Sequence, residues 1–222
     1  MKRTALFLAL SMGFMAHSAS AKTINVVTSF SILGDMVQQV GGEHVSVKAL
    51  VGPDGDPHTF EPSPQDSAAI ASADIVVVNG LGLEGRLDRL IKASGFKGTL
   101  IVASEGVKTH TMDEDGETVV DPHAWNSAAN GAQYAQNIVN GLISADPEDK
   151  EALRKSGEDY IAQLKALDDW AKNRFSGIPE AKRIVLTSHD TFGYFSRAYN
   201  VRFLSAQAFP LKAKPVQKML PS

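Results

Sequence analysis

Residues 23–58 read TINVVTSFSILGDMVQQVGGEHVSVKALVGPDGDPH, and their pattern decides the fold. Thr23 to Ser29 is an apolar, β-rich run that predicts a buried strand. Phe30 to Val40 predicts a helix with Ile32, Leu33, Met36, Val37 and Val40 on one face, stopped by Gly41-Gly42. Val45 to Val51 predicts a second strand that runs into the turn Gly52-Pro53-Asp54-Gly55-Asp56-Pro57-His58. A strand, a helix and another largely apolar strand make a βαβ unit, whose parallel sheet is covered on both faces. Such sheets bind ligands beyond the carboxyl ends of their strands, and His58 follows a strand in that way.

The alternation continues outward. Ser63-Pro64 supplies an N-cap and a first-turn proline for a helix to about Ala73. Ile75 to Val78 and Leu100 to Ala103 predict strands, with a helix over Leu83 to Ala93 between them. Lys108 to Val119 is a polar, acidic loop leading to Asp121-Pro122-His123-Ala124-Trp125. Ser127 to Ile143 is helical, and Asp146-Pro147 breaks that helix and caps the next. Glu148 to Phe175 is one long helical pattern with Leu153, Tyr160, Leu164, Leu167 and Ala171 as its stripe, ended by Ile178-Pro179. Ile184 to Thr187 is a strand that delivers His189, Phe192 to Tyr199 a helix, and Val201 to Ser205 another strand. The fold class is α/β, with two βα lobes joined by a long rigid helix and the second lobe incomplete. Residues 22–147 form the first lobe, 148–178 the connecting helix and 179–207 the partial second lobe.

Met1-Lys2-Arg3, the apolar run Ala5 to Ala16 and the small-x-small Ala19-Ser20-Ala21 predict a signal peptide over residues 1–21, with a mature start near Lys22. That apolar run is too short to span a membrane. The formal net charge of -3 comes without a basic stripe, which argues against a nucleic-acid partner. Cysteine is absent, so neither a disulfide nor a lipid-modified cysteine is available. A free periplasmic protein is the expectation, and any soft-metal site must use histidine and carboxylate rather than thiolate.

Asp-Pro-His occurs twice, at Asp56-Pro57-His58 and Asp121-Pro122-His123. Of six histidines, these two and His189, in Thr187-Ser188-His189-Asp190, stand at the ends of apolar segments beside a carboxylate. Imidazole is the commonest metal ligand, and a ligating ring gives its other N–H to a carboxylate or carbonyl that fixes its tautomer. Asp-Pro is also a plain turn signal, so Asp56 and Asp121 either orient the rings or cap turns. Asp190 is open in the same way. Trp125 and Phe60 are packing residues that wall the site. His110 is a solvated loop residue, His44 lies on the surface after the Gly-Gly turn, and His17 leaves with the signal. Asp113, Glu114, Asp115 and Glu117 form a solvated loop face.

Three spaced motifs, Asp56-Pro57-His58-Thr59-Phe60-Glu61-Pro62-Ser63, Asp121-Pro122-His123-Ala124-Trp125 and Thr187-Ser188-His189-Asp190-Thr191-Phe192-Gly193-Tyr194-Phe195, resemble the zinc/manganese substrate-binding proteins of ABC transporters. The match runs from the signal peptide to about Gln207. The resemblance implies a monomer of two α/β lobes joined by a rigid helix, with one metal between the lobes and delivery to a membrane permease. It implies His58 and His123 as ligands from the first lobe and His189 from the second. The family's fourth ligand is a carboxylate further along the second lobe, in a region this chain does not contain. Histidine at the third position resembles the zinc type, where manganese-type members often carry glutamate. The loop before the second motif holds His110 and little else, unlike the histidine-rich loop of some zinc members. Three imidazoles and a carboxylate make a tetrahedral set suited to zinc, and with three protein ligands water fills the fourth position.

From Ala208 the periodicity vanishes, and residues 208–222 hold three prolines and no acidic residue. Codons for these residues can be chosen so that a shifted frame reads Ile-Ser-Thr-Glu-Ser-Glu-Thr-Ser-Ala-Lys-Asp-Val-Ala-Ile, similar to the acidic segment the family carries there. The tail is therefore expected to be a frameshift product, and the gene sequence tests this. Strands near Ile184 and Val201 have too few neighbours to cover both faces of a parallel sheet, and order is expected to fail beyond Ser205. The leading expectation is a periplasmic carrier of zinc, with manganese second, that performs no chemistry. Its rivals are a three-histidine zinc hydrolase with Asp190 or Glu61 as base, which lacks a His-Glu-x-x-His signature, and a non-functional truncated product. An adhesin-like surface role is disfavoured by the missing cysteine.

Overall fold

The computed structural model describes residues 23–114 and 116–205. The expected signal peptide over residues 1–21 and the tail from Ala208 lie outside the described residues. A four-stranded parallel sheet in the order β2-β1-β3-β4 forms the first unit. It contains β1 (Ile24–Phe30), β2 (Val45–Val51), β3 (Ile75–Val78) and β4 (Thr99–Val102). Every residue of β3 is buried, because alternate side chains feed cores on opposite faces. Ile75 and Val77 join a core with Leu33 of α1 (Ser31–Gly41), Tyr134 and Leu142 of α4 (Ala128–Ala145), and Leu153 of α5 (Lys150–Ser176). Val76 and Val78 face Ile70 of α2 (Pro64–Ser72) and Leu87 and Ile91 of α3 (Arg86–Ala93).

The start of α2 is as the sequence predicts. Ser63 accepts from the Asp66 N–H and Asp66 accepts from the Ser63 N–H, a reciprocal capping box with Pro64 opening the helix. Helix α3 begins three residues later than its apolar pattern, which starts at Leu83. Glu84 turns its carboxylate back onto the backbone N–H groups of Asn79 and Gly80 at 2.5 and 3.0 Å. The intervening loop passes through positive φ at Gly80, Leu81 and Gly82, which glycine adopts at low cost.

The segment 108–119 is not the plain loop its polarity predicts. Thr111–Glu114 (β5) and Glu117–Val120 (β6) pair as an antiparallel hairpin. Its residues Asp113, Glu114 and Glu117 are exposed, as expected.

Helix α5 is a single rod of 27 residues, about 40 Å long at 1.5 Å per residue. Asp146 does not cap it. The Asp146 carboxylate accepts from the Glu148 N–H at 3.2 Å within the connecting turn. Asp149, at the cap position, makes no cap bond, because its carboxylate meets His44 Nδ1 at 2.7 Å. His44 is accordingly half-buried and partnered rather than a free surface residue. The buried stripe of α5 runs through Leu153, Gly157, Asp168 and Ala171, with Tyr160 packed against the first core. Leu167, placed on that stripe by its apolar character, is 48% exposed. Asp168 takes the inward position instead, held by the Tyr199 hydroxyl at 3.0 Å and Lys172 Nζ at 2.5 Å.

Beyond α5, β7 (Ile184–Thr187) and β8 (Arg202–Ser205) pair in parallel around the crossover helix α6 (Gly193–Tyr199). Helix α6 packs on α5 through Phe195, Tyr199 and Phe175, with ring centroids 4.7–6.0 Å apart. β7 has little cover on either face among the described residues, with Ile184, Val185 and Leu186 all exposed, Leu186 at 69%. No helix among the described residues is long and apolar enough to cross a membrane.

Candidate metal centre

The sheet order reverses at β1, since β2 lies on one side of it and β3 on the other. The crevice beyond the carboxyl ends at such a reversal is the default ligand position of an open α/β sheet. His58 lies seven residues past the end of β2 (Val51). Asp56 holds the turn by accepting from the His58 N–H at 2.9 Å and the Thr59 hydroxyl at 3.2 Å. Asp56 thus caps a turn and makes no bond to the His58 ring.

Asp121 does both jobs. Its Oδ1 accepts from the His123 N–H at 3.0 Å and from the His123 ring Nδ1 at 2.8 Å. Both residues are 2% exposed. A carboxylate on Nδ1 fixes the tautomer and leaves the Nε2 lone pair free to point outward. The carbonyl of Pro122 accepts from Asn79 Nδ2 at 2.9 Å, and Asn79 Oδ1 accepts from the Tyr134 hydroxyl at 2.5 Å. Asn79 in turn has its N–H on Glu84, which also accepts from the Ser29 hydroxyl at 2.8 Å. A buried network therefore runs from Glu84 to the loop that carries His123. Burial pushes the Glu84 carboxyl up, and the bonds it accepts pull it part of the way back. Glu84→Ala leaves three donors without their acceptor and is expected to cost about 2–4 kcal/mol. Urea unfolding measures that loss.

His189 follows β7, and its neighbour Thr191 is bound across the gap, the Asn126 Nδ2 donating to the Thr191 carbonyl at 2.9 Å. The result is three imidazoles in mutual contact. Ring centroids lie 5.1 Å (His58–His123), 5.6 Å (His58–His189) and 5.3 Å (His123–His189) apart. One nitrogen from each falls within 4.8 Å of the others. His58 Nε2 and His123 Nε2 are 3.0 Å apart. Two imidazoles on one tetrahedral zinc stand about 3.3 Å apart at zinc–nitrogen distances of about 2.0–2.1 Å, so this pair needs only a slight opening to fit the ion. Among the described residues no carboxylate joins the cluster. Glu61 is paired with Arg86, and Asp190 is exposed.

Burial lowers the pKa of His58, and the nearby His123 lowers it further, with Asp56 opposing. Trp125 stands edge-on to the His123 ring at 5.4 Å and leans on Phe30 at 4.9 Å. Trp125 and Phe60 both pack against the first core.

His110 is not solvated. Its side chain is 13% exposed, it lies on the Tyr194 ring with centroids 3.9 Å apart, and its Nδ1 is 3.7 Å from Asp121 Oδ2. Neither of its ring nitrogens has a hydrogen-bond partner. Tyr194 and His110 are the neighbours of the centre that motif spacing missed. Gly193-Tyr194 lies within the third motif, but nothing in its spacing says that the tyrosine crosses to the first lobe.

The chain as a whole is similar to known proteins. The family model of the zinc-uptake complex component A, periplasmic (ZnuA), matches residues 26–220, past Gln207 where the motif resemblance ends. The metal ABC transporter substrate-binding lipoprotein SsaB of Streptococcus sanguinis is 35% identical over 191 residues, which are 83% of this chain and 62% of that protein. The manganese ABC transporter substrate-binding lipoprotein PsaA of Streptococcus pneumoniae is 35% identical over 210 residues, 89% of this chain and 68% of its own. The chain thus spans about three-fifths of the length of the first curated relatives it matches. A zinc-bound deletion mutant of ZnuA superposes with a TM-score of 0.78 at 27% identity, covering 83% of this chain and 70% of that one. A manganese-bound periplasmic metal binding protein from candidatus Liberibacter asiaticus gives 0.74 at 28% identity, covering 82% and 68%. The chain belongs to the family of the zinc-uptake complex component A, periplasmic.

Proposed function

We propose that this chain captures a divalent transition-metal ion as cargo and hands it to the membrane permease of an ABC transporter. His58 and His123 from the first lobe and His189 from the second are the ligands, and the ion is carried without chemistry being done on it. The observation that carries the reading is the convergence of three imidazole nitrogens within 4.8 Å. Zinc is the preferred cargo and manganese the second, because imidazole suits zinc whereas manganese favours carboxylate and carbonyl oxygen. The relatives named for manganese, and one named for iron, keep metal transport common to the group while dividing over the ion. The protein works outside the cytoplasmic membrane, as relatives named periplasmic or lipoprotein do. Export to the periplasm behind a leader at residues 1–21, and the division into lobes at 22–147 and 179–207 about the helix 148–178, belong to the same proposal.

Equilibrium dialysis against zinc and against manganese tests it. One zinc per chain at neutral pH, with manganese bound more weakly, is expected; uptake of neither ion overturns the reading. Zinc uptake should fall in acid, because protons and metal compete for the same lone pairs. Burial holds His58 below the ordinary imidazole value of 6.5, so loss of uptake through this ligand begins below that pH. The same shift bears on stability. Just below pH 6.5 the unfolded chain binds the proton more readily than the folded one, so stability decreases as the pH drops through that window. Dialysis and thermal unfolding across a pH series check both signs.

A further inference from the structure

We propose that Tyr194 is a positioning residue, a latch that locks the segment carrying His189 onto the loop carrying His123. Tyr194 belongs by sequence to α6 of the second unit, yet its ring is 4% exposed and packs in the first core. Its hydroxyl donates to the Asp121 carbonyl at 2.8 Å. Asp121 N–H donates to the His110 carbonyl at 2.9 Å, so the hydroxyl is anchored at the base of the β5–β6 hairpin. Asp121 is also the residue that fixes the His123 ring. One tyrosine therefore reaches from five residues past His189 to two residues before His123.

Gly193 allows the approach. A Cβ at this position would lie 2.6 Å from Asp121 Oδ2 and 2.8 Å from His110 Cε1, so only glycine lets α6 come this close without moving the carboxylate. The buried His110 ring closes the other side, lying on Tyr194. The Asn126–Thr191 bond and the Tyr199 hydroxyl, which accepts from the Ala128 N–H at 3.1 Å, extend the same seam. The third imidazole is thus set against the other two by protein contacts rather than by the ion. Preorganisation of this kind raises affinity by reducing the ordering cost of binding.

Tyr194→Phe keeps the ring and removes the hydroxyl bond to Asp121, and two measurements read its effect. The first uses imidazole NMR on the chain with no metal added and is independent of the carrier reading. The His189 ring signals should shift toward those of an unstructured peptide, while those of His58 stay in place. The second is zinc affinity by chelator competition and rests on the carrier reading. Affinity should fall about tenfold, the lower end for residues that orient a ligand, and Tyr194→Phe should cost nothing further in a His189→Ala background. Gly193→Ala, which presses on Asp121 from the same side, should reproduce the His189 shift. Unchanged His189 signals in Tyr194→Phe overturn the latch, and so does an equal affinity loss with and without His189. A wild-type chain that takes up no zinc defeats the carrier reading alone, and the ring signals still decide the latch.

Discussion

Replacing His123 with alanine is expected to weaken zinc binding by more than about 100-fold. Residues that merely orient a ligand are worth about 10–100-fold, and His123 is proposed as the ligand itself. Its position makes the loss hard to repair. It is the most buried of the three rings, its Nδ1 is engaged by Asp121, and its Nε2 faces His58 at 3.0 Å. The substitution also leaves the buried Asp121 Oδ1 with the His123 N–H alone. A stability cost of about 1–3 kcal/mol without metal follows from the lost partner. Chelator competition measures the affinity, and the rise in melting temperature on adding zinc, which depends on binding to the folded state, should vanish in this variant. A variant that keeps wild-type affinity removes His123 from the ligand set.

Leu153→Ala and Leu167→Ala are expected to part company in stability by about 1.5–5 kcal/mol. Leu153 is fully buried where α5 seats on the first core, and truncating such a leucine costs about 2–5 kcal/mol through lost transfer energy and the cavity left behind. Leu167 lies on the same helix but is 48% exposed, so its truncation should stay within about 0.5 kcal/mol. Denaturant unfolding of the two variants side by side gives the difference. Similar costs for both would mean that α5 is packed on a different face.

Much of this molecule can be read from its sequence, and the failures have physical reasons. β3 and β7 fall on the residues the apolar runs predict, and α2 begins at its predicted cap, because these signals are local. The β5–β6 hairpin was hidden by composition. Asp115-Gly116 is a hairpin signal, but the flanking strands are acidic and exposed rather than alternating. Helix α3 starts late because the Glu84 side chain competes for the backbone groups before it. Leu167 was misplaced because apolar character does not reveal that Asp168 finds partners inside. The repeated Asp-Pro-His is legible as a motif, yet its two aspartates act differently. Asp56 sits in an open turn, whereas burial of Asp121 forces its oxygen onto the ring. His44 and His110 are partnered or packed by residues 105 and 84 positions away, distances over which one sequence carries no pairing signal.

The order of elements along the chain also gives the centre a history. The four strands of the sheet end at Val102 and α5, which packs on the first core, starts at Lys150, so most of the scaffold of His58 and His123 precedes His189 along the chain. On the carrier reading proposed above, a chain exported amino end first would present His58 and His123 before His189. The β7–α6–β8 unit then adds the third ring, and its Tyr194 packs in the first core. Chain order and ligand order run in the same direction, so on that reading loose capture by two rings can mature into tight holding as α6 docks.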